Sequence, residues 1–374
     1  EYNTTVLVEQ LSAYFRANPQ QVPASVRLYL VPNINPDGVV LGTRFNASTV
    51  DLNRNMNTNL DSCPENDWSI TVQGARGLVS DTGGPYPDSE PESRIVRDFL
   101  LDASAVIFYH SNGGDVFPAF CEHDPSIALA QTYAQVSGYR YDRYWPNYNI
   151  TGGMNDWAGS LGIAAIVPEL FTGTEPDYDE NLRAVQAILA QPEMLPIPET
   201  HTEAGFPVDA LIWRYWKSHG GEELFGSPLE APQHIGATVR QSFQNGVLEL
   251  RPDQADSAAF VQLLPLGRNV SVRQANITSD EAQPELLFEE TGYGIRGAMV
   301  GFWQRNGGIQ VFGYPISEAF ERQNALGQQE QVQIFERSVL IMELGTETIR
   351  LEPLGWASLI KERASAATLA HQIR

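Results

Sequence analysis

Short apolar runs that stop at a polar residue, with helix-like stretches between them, most narrow what this chain can fold into. Residues 105–109 (AVIFY) form such a run and deliver His110 at its end. Residues 164–167 form another, and Pro168 then leads into Glu169. A run that is apolar on both faces must be covered on both faces, as in a strand inside a parallel sheet. Residues 2–16 place Val6, Leu7, Leu11 and Phe15 at helical spacing, and Asn18-Pro19 stops that helix. Residues 89–102 read as a helix with Ser89 as N-cap and acids in the first turn; 126–136 and 179–191 read as two more. Residues 26–31 (VRLYLV) alternate like a strand and run into the turn-rich Pro32-Asn33-Ile34-Asn35-Pro36-Asp37-Gly38. The expectation for residues 1–197 is an α/β domain with a mostly parallel, mixed sheet covered by helices.

The segment 191–207 (QPEMLPIPETHTEAGFP) carries no amphipathic period and reads as a linker, narrowed to 198–207. Beyond it, 208–374 reads as a smaller α+β domain in which the sequence repeats itself. Trp216-x3-Gly220-Gly221-x2-Leu224-Phe225-Gly226-Ser227-Pro228-Leu229 returns 87 residues later as Trp303-x3-Gly307-Gly308-x2-Val311-Phe312-Gly313-Tyr314-Pro315-Ile316. Each copy is followed by a Gln-x-Phe strand, at Gln241 to Phe243 and at Gln333 to Phe335, which sets two repeats at about 208–268 and 293–356. The repeats weakly resemble the LGFP-type units appended to bacterial envelope enzymes. That resemblance implies either a purely structural module or attachment to cell-envelope glycan.

A formal net charge of −22, from 24 Lys plus Arg against 46 Asp plus Glu, would repel nucleic acid from most of the surface. No run approaches the 18 or more apolar residues that a membrane span requires. The chain opens at Glu1 directly into a helix, as a processed or truncated chain does. Cys63 and Cys121 are the only cysteines, too few for a disulfide scaffold, and leave one bridge or two thiols equally open. The remaining histidines, His123, His201, His219, His234 and His371, stand in polar or linker contexts and are expected to be solvated.

Several short signals stand in a fixed order in the first domain: Asn35-Pro36-Asp37-Gly38, Asp51-Leu52-Asn53-Arg54-Asn55, Tyr109-His110-Ser111-Asn112, Tyr148 with Gly152-Gly153-Met154-Asn155-Asp156-Trp157, and Pro168-Glu169-Leu170. His110 and Glu169 both follow apolar strands, at the edge where α/β sheets keep their ligand crevices, and an imidazole and a carboxylate there suit a metal and a general base. In this order the signals resemble the zinc metallocarboxypeptidases, the funnelin fold family of exopeptidases, over about residues 1–190.

The resemblance implies a Zn2+ held by His and Glu of an HxxE motif and by a later His, with one position left for water. Glu1 would be the motif's Glu and His110 the later His, and the first His would lie three residues before Glu1. Asp51 matches the carboxylate that orients that first His, and Arg44 matches the Arg that steadies the oxyanion. Asn53 and Arg54 match the pair that holds the substrate's terminal carboxylate, and Tyr148 matches the mobile Tyr that closes over it. Asn155 falls at the floor of the pocket for the terminal side chain, and Gly159 replaces an aromatic, implying a more open wall. Glu169 matches the general base, thirteen residues after Asp156 and one fewer than in the digestive enzymes.

The implied function is hydrolysis of the last peptide bond of peptides or proteins, in a secreted or cell-envelope, bacterial-like setting. Two alternatives stand beside it: an amidase cutting the stem peptides of peptidoglycan with the same site, and a metal-free protein that only binds C-terminal carboxylates. A serine-nucleophile or phosphate-loop enzyme is excluded, since neither GxSxG nor a Walker motif appears.

Overall fold

The structure, a computed structural model, describes residues 1–74, 78–255, 257, 259–270, 284–346 and 348–372, of which 366–372 by backbone alone. The chain divides into two compact units, Glu1–Pro198 and Glu199–Arg374.

The first unit is α/β. Helix α1 (Tyr2–Ala17) buries Leu7, Val8, Leu11 and Phe15. Helix α2 (Pro36–Leu41) follows, its N-terminus capped by the Asn35 side chain, which accepts from Gly38 N–H. A small ribbon, β1 (Val72–Gln73) with β2 (Val79–Ser80), precedes α3 (Pro91–Phe99). The sheet is built from β3 (Ala105–Ile107), β4 (His110–Ser111), β5 (Asp115–Pro118), β6 (Arg140–Tyr141) and β7 (Ala164–Leu170), interleaved with α4 (Asp124–Ser137) and α5 (Met154–Ser160) and followed by α6 (Tyr178–Leu189). Its order is β3-β7-β5-β6, with β4 also on β7. Strands β3 and β4 run parallel to β7, and β5 runs antiparallel to it, so the sheet is mixed but mostly parallel, as expected.

Strand β7 lies at the centre and is apolar on both faces because both are covered. Ala164, Ile166 and Leu170 join the core formed by Leu7 and Leu11 of α1, Leu129 and Tyr133 of α4, and Val185 and Ile188 of α6. The alternate residues point to the opposite face, where Val167 lines a cavity. The same two-residue period brings Glu169 out on β7 directly beside His110 of β4.

Several local expectations need correction. Residues 26–31 belong to no sheet among the described residues. They keep the strand-like pattern, with Val26, Leu28 and Leu30 packed on the core and Arg27, Tyr29 and Val31 exposed, but without a regular ladder. Helix α3 starts at Pro91 with Glu90, not Ser89, as N-cap, and ends at Phe99. The Ser89 hydroxyl instead donates to the Glu90 carboxylate, and Pro91 at the first helical position fixes the start. The segment read as a linker is partly folded: β8 (His201–Glu203) and β9 (Phe206–Val208) make a hairpin. Its Ala204 and Gly205 occupy the left-handed turn that such a hairpin needs.

The second unit continues with α7 (Ala210–Ser218) and α8 (Gly221–Phe225), then an antiparallel sheet β10 (Gln233–Ile235), β11 (Thr238–Phe243), β12 (Gly246–Leu250) and β13 (Val261–Leu263) in sequential order. The ribbon β14 (Leu286–Leu287) and β15 (Gly294–Ile295) follows, then α9 (Ala298–Arg305), α10 (Gly308–Phe312), a second sequential sheet β16 (Phe320–Gln323), β17 (Gln329–Ile334), β18 (Val339–Glu343) and β19 (Ile349–Leu351), and α11 (Leu354–Gln372). Each Trp-bearing helix ends at a Gly-Gly turn in the left-handed region, with φ +106° at Gly220 and +96° at Gly307. His219 is buried and stacked on the Tyr215 ring at 3.8 Å, so it is not solvated, and His201 is half-buried and stacked on Trp213 at 3.5 Å. The side chain of His371 lies outside the described residues.

The two sheets exchange Pro-Leu-Gly segments. Gly267, after β13, packs against the Phe335 and Ser338 carbonyls, and Gly355, after β19, packs against those of Phe243 and Gly246. The next residues bond alike: Arg268 N–H donates to Glu336 O and Trp356 N–H to Gln244 O, both at 3.2 Å. A Cβ on either glycine would strike backbone, which cannot move aside. Gly267→Ala or Gly355→Ala is therefore expected to cost at least about 2–3 kcal/mol, read as a lowered thermal midpoint of the second unit.

Candidate active site

The expected site residues converge on one cavity of about 470 Å3 in the first unit, lined by Glu1, Arg44, Asn53, Arg54, His110, Tyr148, Asn155 and Glu169 among others. Asp51 stands behind it, holding Arg44 at 2.6 Å.

Sheet register places the first pair of groups. His110 Nδ1 and Glu1 Oε2 are 2.9 Å apart, and Ser111 N–H donates to the same Glu1 oxygen. Burial is the largest influence on Glu1 and raises its pKa, but the His110 charge and hydrogen bond and the Arg44 charge outweigh it and take the carboxyl down to about 2. Burial likewise works against a charged His110, yet the carboxylates of Glu1 and Glu169 leave its pKa raised. At Glu169 burial dominates and pushes the carboxyl above its ordinary value. It is thus a more basic carboxylate than an exposed glutamate.

The turn after Asp51 places the second group. Asp51 caps it by accepting from Asn53 N–H, which orients Asn53 and Arg54 in sequence. Arg54 is buried, with its guanidinium 6.0 Å from the centre of the Tyr148 ring and donating to Asn53 O. Gly152 passes so close to the Arg54 carbonyl that a side chain there would collide, and its φ is in the left-handed region at +65°. The Asn53 amide nitrogen lies 3.2 Å from His110 Nε2 and its oxygen accepts from Met154 N–H. Arg44 also reaches Glu1 at 3.5 Å.

Two residues have partners beyond the expected ones, and one expectation changes. Asn53, expected to hold substrate, is already engaged with His110 and Met154 and so also fixes the imidazole. Asp51, expected to orient an upstream His, is engaged by Arg44 and the Asn53 amide. Gly159 does not open the wall: a Cβ there would lie 2.6 Å from the Ala119 Cβ, so the glycine lets α5 close on that segment. Sequence reasoning missed Arg143, Trp145, Asn66 and Phe120 and assigned Asp156 no role, though all five line the cavity. No local pattern marks the first group, because they arrive from loops separated in sequence.

The donors present suit zinc, which takes carboxylate oxygen and imidazole nitrogen. Glu1 and His110 present two such atoms toward each other at ligand-to-ligand spacing. Among the described residues the one group of three potential ligands is Asp61, Cys63 and Cys121, but those cysteines are joined in a disulfide and offer no thiolate. No described helix is long and apolar enough to cross a membrane.

The chain is 29% identical over 147 residues to mast cell carboxypeptidase A of Rattus norvegicus, covering 34% of this chain and 32% of that protein. It is 28% identical over 158 residues to murein peptide amidase A of Escherichia coli (strain K12), covering 39% of this chain and 59% of that protein. The chain therefore spans about a third to three fifths of these relatives. Among solved structures, murein-tripeptide amidase MpaA from Escherichia coli O157 aligns with a TM-score of 0.34 at 23% identity, over 42% of this chain and 66% of that one. Residues 3–120 match the family Peptidase_M14, zinc carboxypeptidase, a span that includes Arg44, Asp51, Asn53, Arg54 and His110. Over those residues, about a third of the chain, the first unit is similar to the zinc carboxypeptidase family.

Proposed function

We propose that the first unit is a zinc-dependent metallocarboxypeptidase that hydrolyses the C-terminal peptide bond of peptides or proteins. The observation that carries this reading is the buried Arg54 guanidinium under Tyr148, in the same cavity as Glu169 and the Glu1–His110 pair. A guanidinium fork is suited to a free terminal carboxylate, and its burial makes that recognition strong.

Glu1 and His110 would hold the metal, which when bound polarises the scissile carbonyl and acidifies a water. Glu169 takes the proton from the attacking water and returns it to the leaving amine. Arg44 stands beside Glu1 and supplies positive charge where the carbonyl oxygen becomes negative. Arg54, with Asn53, fixes the terminal carboxylate, Tyr148 covers it, and Asn155 meets the terminal side chain.

Two tests apply. Cleavage of peptides with free but not amidated C-termini supports the reading, and equal cleavage of both overturns it. Extending the chain before Glu1 so that a His stands three residues upstream is expected to tighten zinc binding by about 10–100-fold, read as metal content after dialysis. Unchanged zinc content would remove Glu1 from the ligand set.

A second reading, a peptide-stem amidase, draws support from the larger share of murein peptide amidase A that the chain spans. Cleavage of a murein stem peptide in preference to ordinary unblocked peptides would favour it. The Cys63–Cys121 bridge supports a secreted or envelope address, where disulfides persist. For the second unit we keep cell-envelope glycan as the proposed partner.

A further inference from the structure

The disulfide and the floor of the cavity are linked through one buried carboxylate. Cys63 and Cys121 are 58 residues apart in sequence, and each borders a segment that lines the cavity: Glu65 and Asn66 after the first, Phe117 to Phe120 before the second. Both segments converge on Asp156, in the first turn of α5 and only 6% exposed. The Phe120 N–H, one residue before Cys121, donates to Asp156 Oδ1 at 2.9 Å. The Asn66 side chain, three residues after Cys63, is buried without a hydrogen-bond partner and also favours the charged form of the Asp156 carboxyl. Asn66 is tied back by its own N–H to Cys63 O at 3.3 Å, and its carbonyl accepts from Gly152 N–H at 3.1 Å, on the loop that carries Tyr148.

Asp156 in turn fixes its neighbour. Its Oδ1 accepts from the Asn155 Nδ2 at 2.7 Å, and Asn155 lines the cavity. Close contact of Gly159 with Ala119 presses the same helix against the segment that ends at Cys121. Cys121 and Glu122 follow in the left-handed region, φ +66° and +53°, a turn that ordinary residues keep only when their surroundings hold it. Burial is the largest influence on Asp156 and pushes its carboxyl up to about 6, against the Phe120 amide, Asn66 and Arg54. Loosening the segment that ends at Cys121 would remove a donor from a carboxylate that is almost wholly buried.

We propose that the Cys63–Cys121 disulfide and Asp156 act together as positioning groups for Asn155, and so set how sharply the protein tells one C-terminal side chain from another. The proposal rests on the carboxypeptidase reading. It requires that the grip on the terminal carboxylate, made by Arg54, be separable from the discrimination among side chains.

The test uses the full chain and a binding readout. Calorimetry would compare wild type, Cys63→Ser with Cys121→Ser, and Asp156→Asn, titrated with the N-acetyl derivatives of glycine, leucine, phenylalanine, lysine and glutamate as free acids and as amides. Wild type is expected to prefer acids to amides and to show a spread of affinity across side chains. Both variants are expected to narrow that spread by about tenfold while keeping the preference for acids. Their combination should narrow it less than the product of the separate effects, because they act on one set of groups. Asp156→Asn retains the bridge and so tests the link even where the cysteine variant does not fold. A lowered thermal midpoint with an unchanged spread would mark the bridge as purely structural and overturn the proposal. So would a wild type that binds all the acids alike. A wild type that does not distinguish acids from amides would instead overturn the carboxypeptidase reading itself.

Discussion

Replacing Glu169 with glutamine is expected to lower kcat by about 10²–10⁴-fold, the usual worth of a positioned general base and acid, with KM for an unblocked peptide nearly unchanged. The side chain is delivered by β7, whose register sets Glu169 beside His110. Burial raises its affinity for a proton. A glutamine of the same shape fills the site but cannot accept a proton from water or pass one to the leaving amine. The measurement is steady-state hydrolysis of an unblocked peptide by the zinc-loaded, upstream-extended chain, for the variant against its parent. A kcat within a few-fold of the parent would take Glu169 out of the proton-transfer role. A matched loss of binding would make it a structural residue instead.

Replacing Arg54 with alanine should act on recognition rather than on proton transfer. Its guanidinium is buried beneath Tyr148, and burial disfavours the charged form enough to lower its pKa. A substrate carboxylate brought there would be a close partner in a site of low polarity. Removing one partner of such a buried charge pair costs about 2–5 kcal/mol, so kcat/KM for a free-acid peptide should fall on the order of 10²–10³-fold. The amidated peptide, which lacks the charge, should lose much less. Competition by N-acetyl amino acids gives an independent readout of the same loss. Equal losses for acid and amide would mean that Arg54 supports the fold without reading the terminus.

The apolar strands and the order of the site motifs were legible because each depends on residues close in sequence. Residues 105–109 are apolar throughout, which marks a strand there, but the structure ends β3 at Ile107 and His110 opens the separate strand β4 on the same neighbour. The same reasoning applied to Glu169, and its shortened spacing from Asp156 does not keep it from the cavity. The amphipathic spacing of Leu7, Leu11 and Phe15 likewise gave α1, ending one residue beyond the expected stop. Residues 26–31 show where such reasoning ends. Their alternation reports which side chains face the core, but a strand also needs a neighbour with matching backbone groups.

The partners of the polar side chains were not legible. Nothing near Arg44 in sequence says that it will pair with both Asp51 and Glu1, or that Asn53 will support His110 as well as stand beside Arg54. Asp156 looks like one more helix-start acid until Phe120 and Asn66 are brought to it from two directions. The pairing of Cys63 with Cys121 belongs to the same class, since two cysteines far apart are compatible with either redox state until the chain brings them within 5.9 Å between Cα atoms. His219 and His201 were misjudged because a ring stacked on Tyr215 or Trp213 is stabilised by a neighbour whose orientation the local sequence does not encode.

The sequence by itself determined the alternation of strands and helices in the first unit, the apolar runs beside which His110 and Glu169 stand, and the residue types available for metal, base and carboxylate. These follow from periodicity and from the chemistry of single side chains, which act over a few residues. Only the tertiary structure decided which of those groups meet: Glu1 with His110, Arg54 under Tyr148, and Asp156 between the two arms of the disulfide. Hydrogen bonds and ion pairs act over about 3–4 Å, so the partner is whichever segment folding brings within that distance, however far away it lies along the chain.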